Sequence, residues 1–223
     1  MNIPINISQQ NYDKLLSFAI RTNDHLINLS LNIVDYLLNY YCYDNLDNNS
    51  VHRVIIVKHD SYRIIFQEPD KIFSICFPFK IENIDNNFII TDFYNNEIRN
   101  AELSLLKSIF KKDEEENKAD VSELKDPLDF YSDLEEIFID YPDILWKVND
   151  VWQIVIKLLT YEYGYIRFDD DPINANGKIH PLFHFDMAYC NYATYKFGLN
   201  KRISLDQFID MFNPETDQLH FNL

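Results

Sequence analysis

The residues with the most chemical potential lie close together in the last third of the 223-residue chain, in the segments 161–169 and 180–187. Five side chains of these segments are candidate catalytic residues: Arg167, Asp169, His180, His184 and Asp186. Two imidazoles and a carboxylate can bind a divalent metal, and a neighbouring guanidinium can hold an anionic substrate. Without a metal, a histidine beside an aspartate can act as a general base.

Alternation of side chains predicts that both segments are β-strands. Successive side chains of a strand point to opposite faces of its sheet. Arg167 and Asp169 therefore lie on one face of the first strand. His180, His184 and Asp186 lie on one face of the second strand, and the apolar side chains between them face the core. If the strands pair as an antiparallel meander, one sheet face collects all five candidates.

A third strand, predicted at 193–199, would place Thr194 and Lys196 beside the same face. If the protein binds a metal, this pattern predicts that His180, His184 and Asp186 are the ligands. A divalent metal is the one cofactor that these residues suggest, and no cofactor is expected otherwise. The function would then be that of a metal-dependent hydrolase, such as a nuclease or a phosphoesterase.

Three alternatives stay open for this polar face. Polar residues on the outer face of an antiparallel sheet commonly form ion pairs and hydrogen bonds that have no catalytic role. His180 and Pro181 could also be the N-cap and the first residue of a helix. His184 would then lie one helical turn further on and would not share a face with Asp186. Finally, the face could bind a protein partner.

The elements that would position this face begin with helices and an antiparallel sheet. The segment 8–43 predicts two helices, and Asp24 is the expected N-cap of the second. Strands are predicted for four runs that are rich in β-branched and aromatic residues: 51–57, 62–67, 72–79 and 88–93. Links as short as those between these runs join antiparallel neighbours, so we expect a meander.

Three further helices are predicted, at 96–111, 143–160 and 205–212. Between the first two lies an acidic segment, 113–143, in which thirteen Asp and Glu outnumber two Lys. This segment accounts for −11 of the formal charge of −16. Its first part has the composition of an exposed linker, and a capping-box pattern that begins at Ser132 opens a short helix. A solvated connector and a docking surface for a basic partner both fit this segment.

The overall composition excludes several classes of function. The acidic balance argues against direct binding of nucleic acid, because phosphate contacts draw their affinity from clustered Lys and Arg. A protein partner with a basic surface is expected instead. The three glycines are isolated from one another. This excludes the glycine-rich loops that bind dinucleotides or phosphates, and also the nucleophile elbow of serine hydrolases.

The cysteines and the N-terminus bear on location. Cys42, Cys76 and Cys190 lie far apart, which predicts reduced thiols in a cytoplasmic protein. The N-terminus has no basic stretch followed by an apolar core, so no signal peptide is expected. The longest apolar stretch, at 73–79, is far shorter than the roughly 20 residues that span a bilayer. We therefore expect a cytoplasmic protein without membrane contact.

Three short motifs follow one another in the C-terminal part: Tyr-Ile-Arg-Phe-Asp at 165–169, His-Pro-Leu-Phe-His at 180–184 and Ile-Ser-Leu-Asp-Gln-Phe-Ile at 203–209. Together, over 164–212, they resemble the C-terminal half of a bacterial family known as a domain of unknown function. In that family another His tends to follow the second one by two residues, where this chain has Asp186. The resemblance implies a bacterial or mobile-element protein of the kind found in defence or toxin–antitoxin settings, and it implies no activity.

The sequence as a whole predicts an α+β protein. N-terminal helices and an antiparallel meander are followed by the acidic connector, a helix and a second group of antiparallel strands. The predicted domain limits are 1–112, 113–142 and 143–223, and the last domain could be continuous with the first. The first function predicted is an interaction or regulatory protein that binds a basic partner, and the alternative is the metal-dependent hydrolase. Enzymatic activity and oligomeric state stay open.

Overall fold

The structure of the protein is a computed structural model, which describes residues 2–5, 7–17, 19–40, 52–58, 61–84, 87–110, 127–142, 144–177, 179–187 and 196–216. Several of the positions discussed above lie outside these residues: Cys42, Cys190, Thr194 and the part of the acidic segment at 113–126. The predictions made for those positions stay predictions.

The described residues form nine strands and six helices. In chain order they are β1 (Asn2–Ile5), α1 (Gln9–Leu15), α2 (Asn23–Leu38), β2 (Arg53–Lys58), β3 (Tyr62–Gln67), β4 (Lys71–Phe77), β5 (Lys80–Ile84), β6 (Asn87–Thr91), α3 (Asn100–Phe110), α4 (Pro127–Ile139), α5 (Val148–Leu159), β7 (Ile166–Asp170), β8 (Phe183–Asp186), β9 (Lys196–Leu199) and α6 (Leu205–Asp210). Helices combined with antiparallel sheets confirm the predicted α+β class. Among the described helices, none has the length and apolar character needed to cross a membrane.

The chain divides into two compact units, of which the first consists of Met1–Lys14, Asn45–Phe77 and Tyr163–Leu223. Seven strands of this unit form one antiparallel sheet in the order β1-β2-β3-β4-β7-β8-β9. β4 and β7 are therefore neighbours, although they are far apart in the sequence. Strands from 1–112 and from 143–223 thus belong to one sheet, and the two units do not follow chain order.

One face of the seven-stranded sheet packs into a hydrophobic core. Phe168 of β7 and Phe185 of β8 pair across the strands, and both side chains are buried. Their rings make an edge-to-face contact with centroids 5.8 Å apart. Helix α6 adds Phe208 to this core, and Ser204 caps the helix by accepting a hydrogen bond from the N–H of Gln207. Burying each phenylalanine stabilises the fold by about 1.5–3 kcal/mol.

The second unit consists of Leu15–Asp44 and Pro78–Glu162, and it contains helices α2 to α5 and the β5–β6 hairpin. Helix α2 packs against α3, and Lys107 of α3 forms an ion pair with Asp35 of α2. The helix predicted at 96–111 is observed as α3, which buries Leu103, Leu106 and Phe110. That prediction is therefore confirmed.

The N-cap predicted for α2 is wrong by two residues. Thr22 caps the helix, because its hydroxyl accepts a hydrogen bond from the N–H of His25 at 3.3 Å. Asp24 lies inside the first turn, where a negative charge is favourable next to the positive end of the helix dipole. Thr22 and Asp24 both stabilise this helix end, one as the cap and the other through its charge. The sequence alone did not show which of the two is the cap.

Two other helix starts also differ from the prediction. α4 begins at Pro127, upstream of the capping-box pattern at Ser132. Proline suits the first position of a helix, because the N–H that it lacks would have no partner there. α5 begins at Val148, and Oδ2 of Asp150 accepts a hydrogen bond from the N–H of Lys147 at 2.9 Å. The helix is therefore shorter at its start than the predicted 143–160.

The sequence did not predict strands β1 and β5. β1 contains Pro4 and lies at the edge of the sheet, where a residue without an N–H is tolerated. β5 exposes Lys80, Glu82 and Asn83, and Ile81 is its one buried residue. Each strand therefore lacked a clear apolar pattern. The predicted run 72–79 instead ends as β4 at Phe77.

Candidate metal centre

Three neighbouring strands at one end of the sheet position the polar residues. Across β7 and β8, Arg167 pairs with Asp186 and Asp169 pairs with His184. Across β8 and β9, Asp186 pairs with Lys196. Residues that are directly opposite each other in antiparallel strands project to the same face. These five side chains therefore share the face opposite to the one that packs with α6, and we call them the polar cluster.

Arg167 ties the two carboxylates of the polar cluster together. Its Nε lies 2.8 and 2.9 Å from the two carboxylate oxygens of Asp169. Its Nη2 donates to Oδ2 of Asp169 and to Oδ2 of Asp186, each at 2.7 Å. Burial acts to lower the pKa of Arg167, but the hydrogen bond to Asp169 and the neighbouring Tyr165 raise this pKa overall. The guanidinium therefore keeps its charge.

Lys196 supplies the second cation of the polar cluster. Its Nζ donates to Oδ1 and Oδ2 of Asp186 at 3.0 and 3.2 Å. The same Nζ lies 2.9 Å from Nε2 of His184. Asp186 thus accepts hydrogen bonds from a guanidinium and an ammonium at once. Charge-assisted hydrogen bonds of this kind are stronger than neutral ones, so they fix the position of the carboxylate.

The hydrogen bonds of His184 define its tautomer. Its Nδ1 lies 2.8 Å from the carbonyl oxygen of Pro181. A carbonyl oxygen only accepts, so Nδ1 carries the proton. The other nitrogen, Nε2, then accepts a hydrogen bond from the ammonium of Lys196 at 2.9 Å. A neutral histidine whose second nitrogen donates to a backbone carbonyl is the arrangement typical of a metal ligand.

The polar cluster is buried at its centre and open at its cations. The exposed fraction of the side chain is 0% for His184, 9% for Asp186 and 14% for Asp169. It rises to 33% for Arg167 and 27% for Lys196. Next to them, burial raises the pKa of the Tyr165 phenol, which stays neutral. Solvent therefore reaches the cluster from the side of the two cations.

Asp169, His184 and Asp186 each offer one ligand atom to a common point, and these atoms lie within 4.8 Å of one another. Nε2 of His184 is 3.5 Å from Oδ2 of Asp169 and 3.9 Å from Oδ1 of Asp186. Two ligand atoms that each lie about 2.1 Å from a metal are about 3.0–3.4 Å apart at octahedral or tetrahedral angles. Both distances from His184 are therefore longer than those around a bound metal, and the three ligand atoms would have to move closer together to hold one.

His180 lies beside the polar cluster but outside this group of three. Its ring is perpendicular to that of His184, with centroids 4.8 Å apart, and its Nε2 lies 3.2 Å from Oδ2 of Asp171. The reason is local, because β8 begins at Phe183 and His180 belongs to the preceding turn. Of the three predicted ligands, His184 and Asp186 belong to this group, and its third member is Asp169 and not His180. The helix considered for 180–184 is not observed.

Two groups that support the site were missing from the sequence prediction. The carbonyl of Pro181 orients His184, and a backbone carbonyl leaves no trace in the residue types. Asp171 faces His180 and accepts hydrogen bonds from the side chain and the backbone of Asn174, which lower its pKa. The Asp-x-x-Asn spacing is a turn signal that could have indicated this role for Asp171.

Comparison of the chain with protein-family models, with curated proteins and with solved structures finds no match. The resemblance of 164–212 to a bacterial domain family therefore stays a prediction.

Proposed function

We propose that the protein is a hydrolase of phosphoesters that depends on a divalent metal bound by Asp169, His184 and Asp186. The observation that carries this proposal is the convergence of their three ligand atoms within 4.8 Å. The set of two carboxylates and one neutral imidazole suits borderline and hard divalent ions, such as Zn²⁺, Mn²⁺ and Mg²⁺. The hydrogen bond from His184 to the carbonyl of Pro181 supports the same role.

The energetics of burial also support a functional site. Burying charged groups costs desolvation free energy, and a buried ion pair is commonly no more stabilising than apolar residues of similar size. His184 and Asp186 are nonetheless buried on a sheet whose opposite face consists of phenylalanine and aliphatic side chains. Stability alone gives no reason for charges at this place. Clusters of ionisable groups in partly enclosed positions are typical of functional sites.

The two cations of the polar cluster favour an anionic substrate. Arg167 and Lys196 lie next to the carboxylates on the open side of the cluster, where they can bind the oxygens of an anionic ester. A bound metal would supply a water of lowered pKa as the nucleophile. Hydrolysis would replace the bond between phosphorus and the ester oxygen by a bond to the oxygen of water, and the alcohol would leave with one proton of that water. Arg167 and Lys196 stabilise the negative charge of the phosphoryl group during this step.

The test combines metal binding with hydrolysis. Mn²⁺ binding is measured by calorimetry, and hydrolysis of bis(4-nitrophenyl) phosphate is followed with added Mn²⁺, for the wild type and Asp186→Asn. Asp170→Asn is the matched control. Asp170 lies two residues after Phe168 in the same strand, so its side chain is on the α6 face and not on the polar face. Its Oδ2 lies 3.2 Å from Nη1 of Arg202. We expect at least about a ten-fold weaker Mn²⁺ affinity and loss of hydrolysis for Asp186→Asn alone. Equal Mn²⁺ affinity and equal activity in all three proteins would refute the proposal.

Binding of a basic protein partner is a second candidate function. The residues that favour it lie at the end of α4. The apolar side chain of Ile139 has an exposed fraction of 78%. It is bordered by three exposed acidic residues: Glu135, Glu136 and Asp140. An exposed apolar side chain bordered by acidic residues suits a basic surface with an apolar centre. Glu135→Gln/Glu136→Gln should weaken, in a salt-dependent way, the capture of a partner from lysate. Unchanged capture at low and high salt would exclude this surface.

A further inference from the structure

The polar cluster is electrically neutral before it binds anything. Asp169 and Asp186 contribute two negative charges, and Arg167 and Lys196 contribute two positive charges. His184 is a neutral imidazole, because its Nε2 accepts a hydrogen bond from the ammonium of Lys196. A divalent metal alone would raise the net charge of the cluster to +2. Excess charge in a partly buried place is costly, because little solvent is present to screen it. An anion bound at the same time would remove this excess.

Lys196 also competes directly with a metal for the same lone pairs. Its Nζ lies 2.9 Å from Nε2 of His184 and 3.0 Å from Oδ1 of Asp186. A metal needs both of these atoms as ligands. The ammonium and the metal therefore exclude each other. Lys196 can move away, because its side chain is flexible and its exposed fraction is 27%.

We propose that a divalent metal and a phosphate group bind to the polar cluster as a coupled pair. The metal takes the lone pairs of His184 and Asp186 that Lys196 occupies in its absence. Lys196 then turns its ammonium toward the oxygens of the phosphate, and Arg167 stays with Asp169 and contacts the same phosphate. Each ligand strengthens the binding of the other, so the metal is held tightly only when a substrate is present. This inference rests on the proposed function, since it assumes the same three ligands.

The experiment measures the affinity for Mn²⁺ by electron paramagnetic resonance of the free ion, without and with saturating inorganic phosphate. In the wild type, we expect phosphate to strengthen Mn²⁺ binding at least about ten-fold, and Mn²⁺ to strengthen phosphate binding by the same factor. Lys196→Met removes the competing ammonium. This variant should bind Mn²⁺ at least about ten-fold more tightly without phosphate and gain less from it. Lys201→Met, at an exposed lysine, is the matched control and should behave as the wild type.

The possible results separate this inference from the proposed function. If the wild type binds Mn²⁺ equally with and without phosphate, and Lys196→Met binds it with the same affinity, the coupling is refuted. The proposed metal site then still stands, provided that Asp186→Asn loses the binding. If neither the wild type nor Lys196→Met binds Mn²⁺ with phosphate present, both the coupling and the metal site are refuted.

Discussion

Replacing Asp186 by asparagine tests whether the polar cluster stabilises the fold or only costs stability. The amide keeps the size of the carboxylate but removes its charge, so Arg167 and Lys196 lose a shared partner. Arg167 keeps Asp169, whereas Lys196 keeps only the imidazole of His184. The variant therefore leaves one uncompensated positive charge in a partly buried place.

The structure sets the size of the effect. Removing one partner of a fully buried ion pair costs about 3–5 kcal/mol, whereas an exposed pair contributes about 0–1 kcal/mol. The side chain of Asp186 is buried, whereas the exposed fractions of the Arg167 and Lys196 side chains are 33% and 27%. We therefore expect Asp186→Asn to lower the free energy of unfolding by about 2 kcal/mol. For a chain of this size the melting temperature then falls by about 4–8 °C.

The second variant of this test restores neutrality. Asp186→Asn/Lys196→Met removes one charge of each sign and leaves the pair of Arg167 and Asp169 intact. If the cluster costs desolvation free energy, the double variant should recover most of the loss and come within about 1 kcal/mol of the wild type. Urea unfolding, followed by circular dichroism for all three proteins, gives the values, and equal slopes show that the change is one of stability.

One result would refute the reasoning behind the functional argument. If the double variant stays about 2 kcal/mol or more less stable than the wild type, the ion pair between Asp186 and Lys196 contributes net stability to the sheet compared with its neutral replacement. The buried charges would then need no function to explain them, and the burial argument for a ligand site would fail. The convergence of the three ligand atoms would have to carry the proposal alone.

Two further predictions concern other parts of the chain. Burial acts to raise the pKa of Glu102, but the hydrogen bonds from Arg99 lower it overall. A lowered pKa stabilises the fold above the unfolded pKa of about 4.3, so the stability lost in Glu102→Gln at about pH 7 should shrink as the pH falls toward 3. Gly164→Ala should destabilise the protein by about 1 kcal/mol more than Gly177→Ala. Both glycines have φ of +50°, but a Cβ at Gly164 would lie 3.0 Å from Nη2 of Arg63, whereas a Cβ at Gly177 meets nothing within 4 Å. Urea unfolding checks both, and equal losses for the two glycine variants would contradict the second.

The alternation of side chains predicted most of the polar cluster. The period of two in β7 and β8 placed Arg167, Asp169, His184 and Asp186 on one face, and the register confirms that arrangement. The prediction was wrong for His180. The alternation of polar and apolar residues begins before the strand does, and the sequence does not mark Phe183 as the first residue that pairs with the neighbouring strand. For this reason the group of possible metal ligands contains Asp169 and not the predicted His180.

Other parts of the fold depend on contacts that no local pattern contains. The pairing of Ser74 in β4 with Ile166 in β7 joins positions that are distant in the chain. The residue pattern of a strand does not depend on whether its neighbour in the sheet is near or far in the sequence. The sequence therefore did not show whether the two groups of strands form one sheet or two. β1, which contains Pro4, and the polar β5 were not predicted. Both are strands because of where they lie in a sheet, and their composition does not indicate it.

The geometry of the polar cluster is a consequence of the core on the other side of the sheet. The register that pairs Phe168 with Phe185 in the core also pairs Asp169 with His184 on the polar face. Because the side-chain period is two, a slip by one residue would turn the phenylalanines outward and the charges inward. The apolar contacts therefore exclude a register that is shifted by one residue, and the observed register brings the ligand atoms together. This rigid support is what a ligand site needs, since its groups then hold their positions before any ligand arrives.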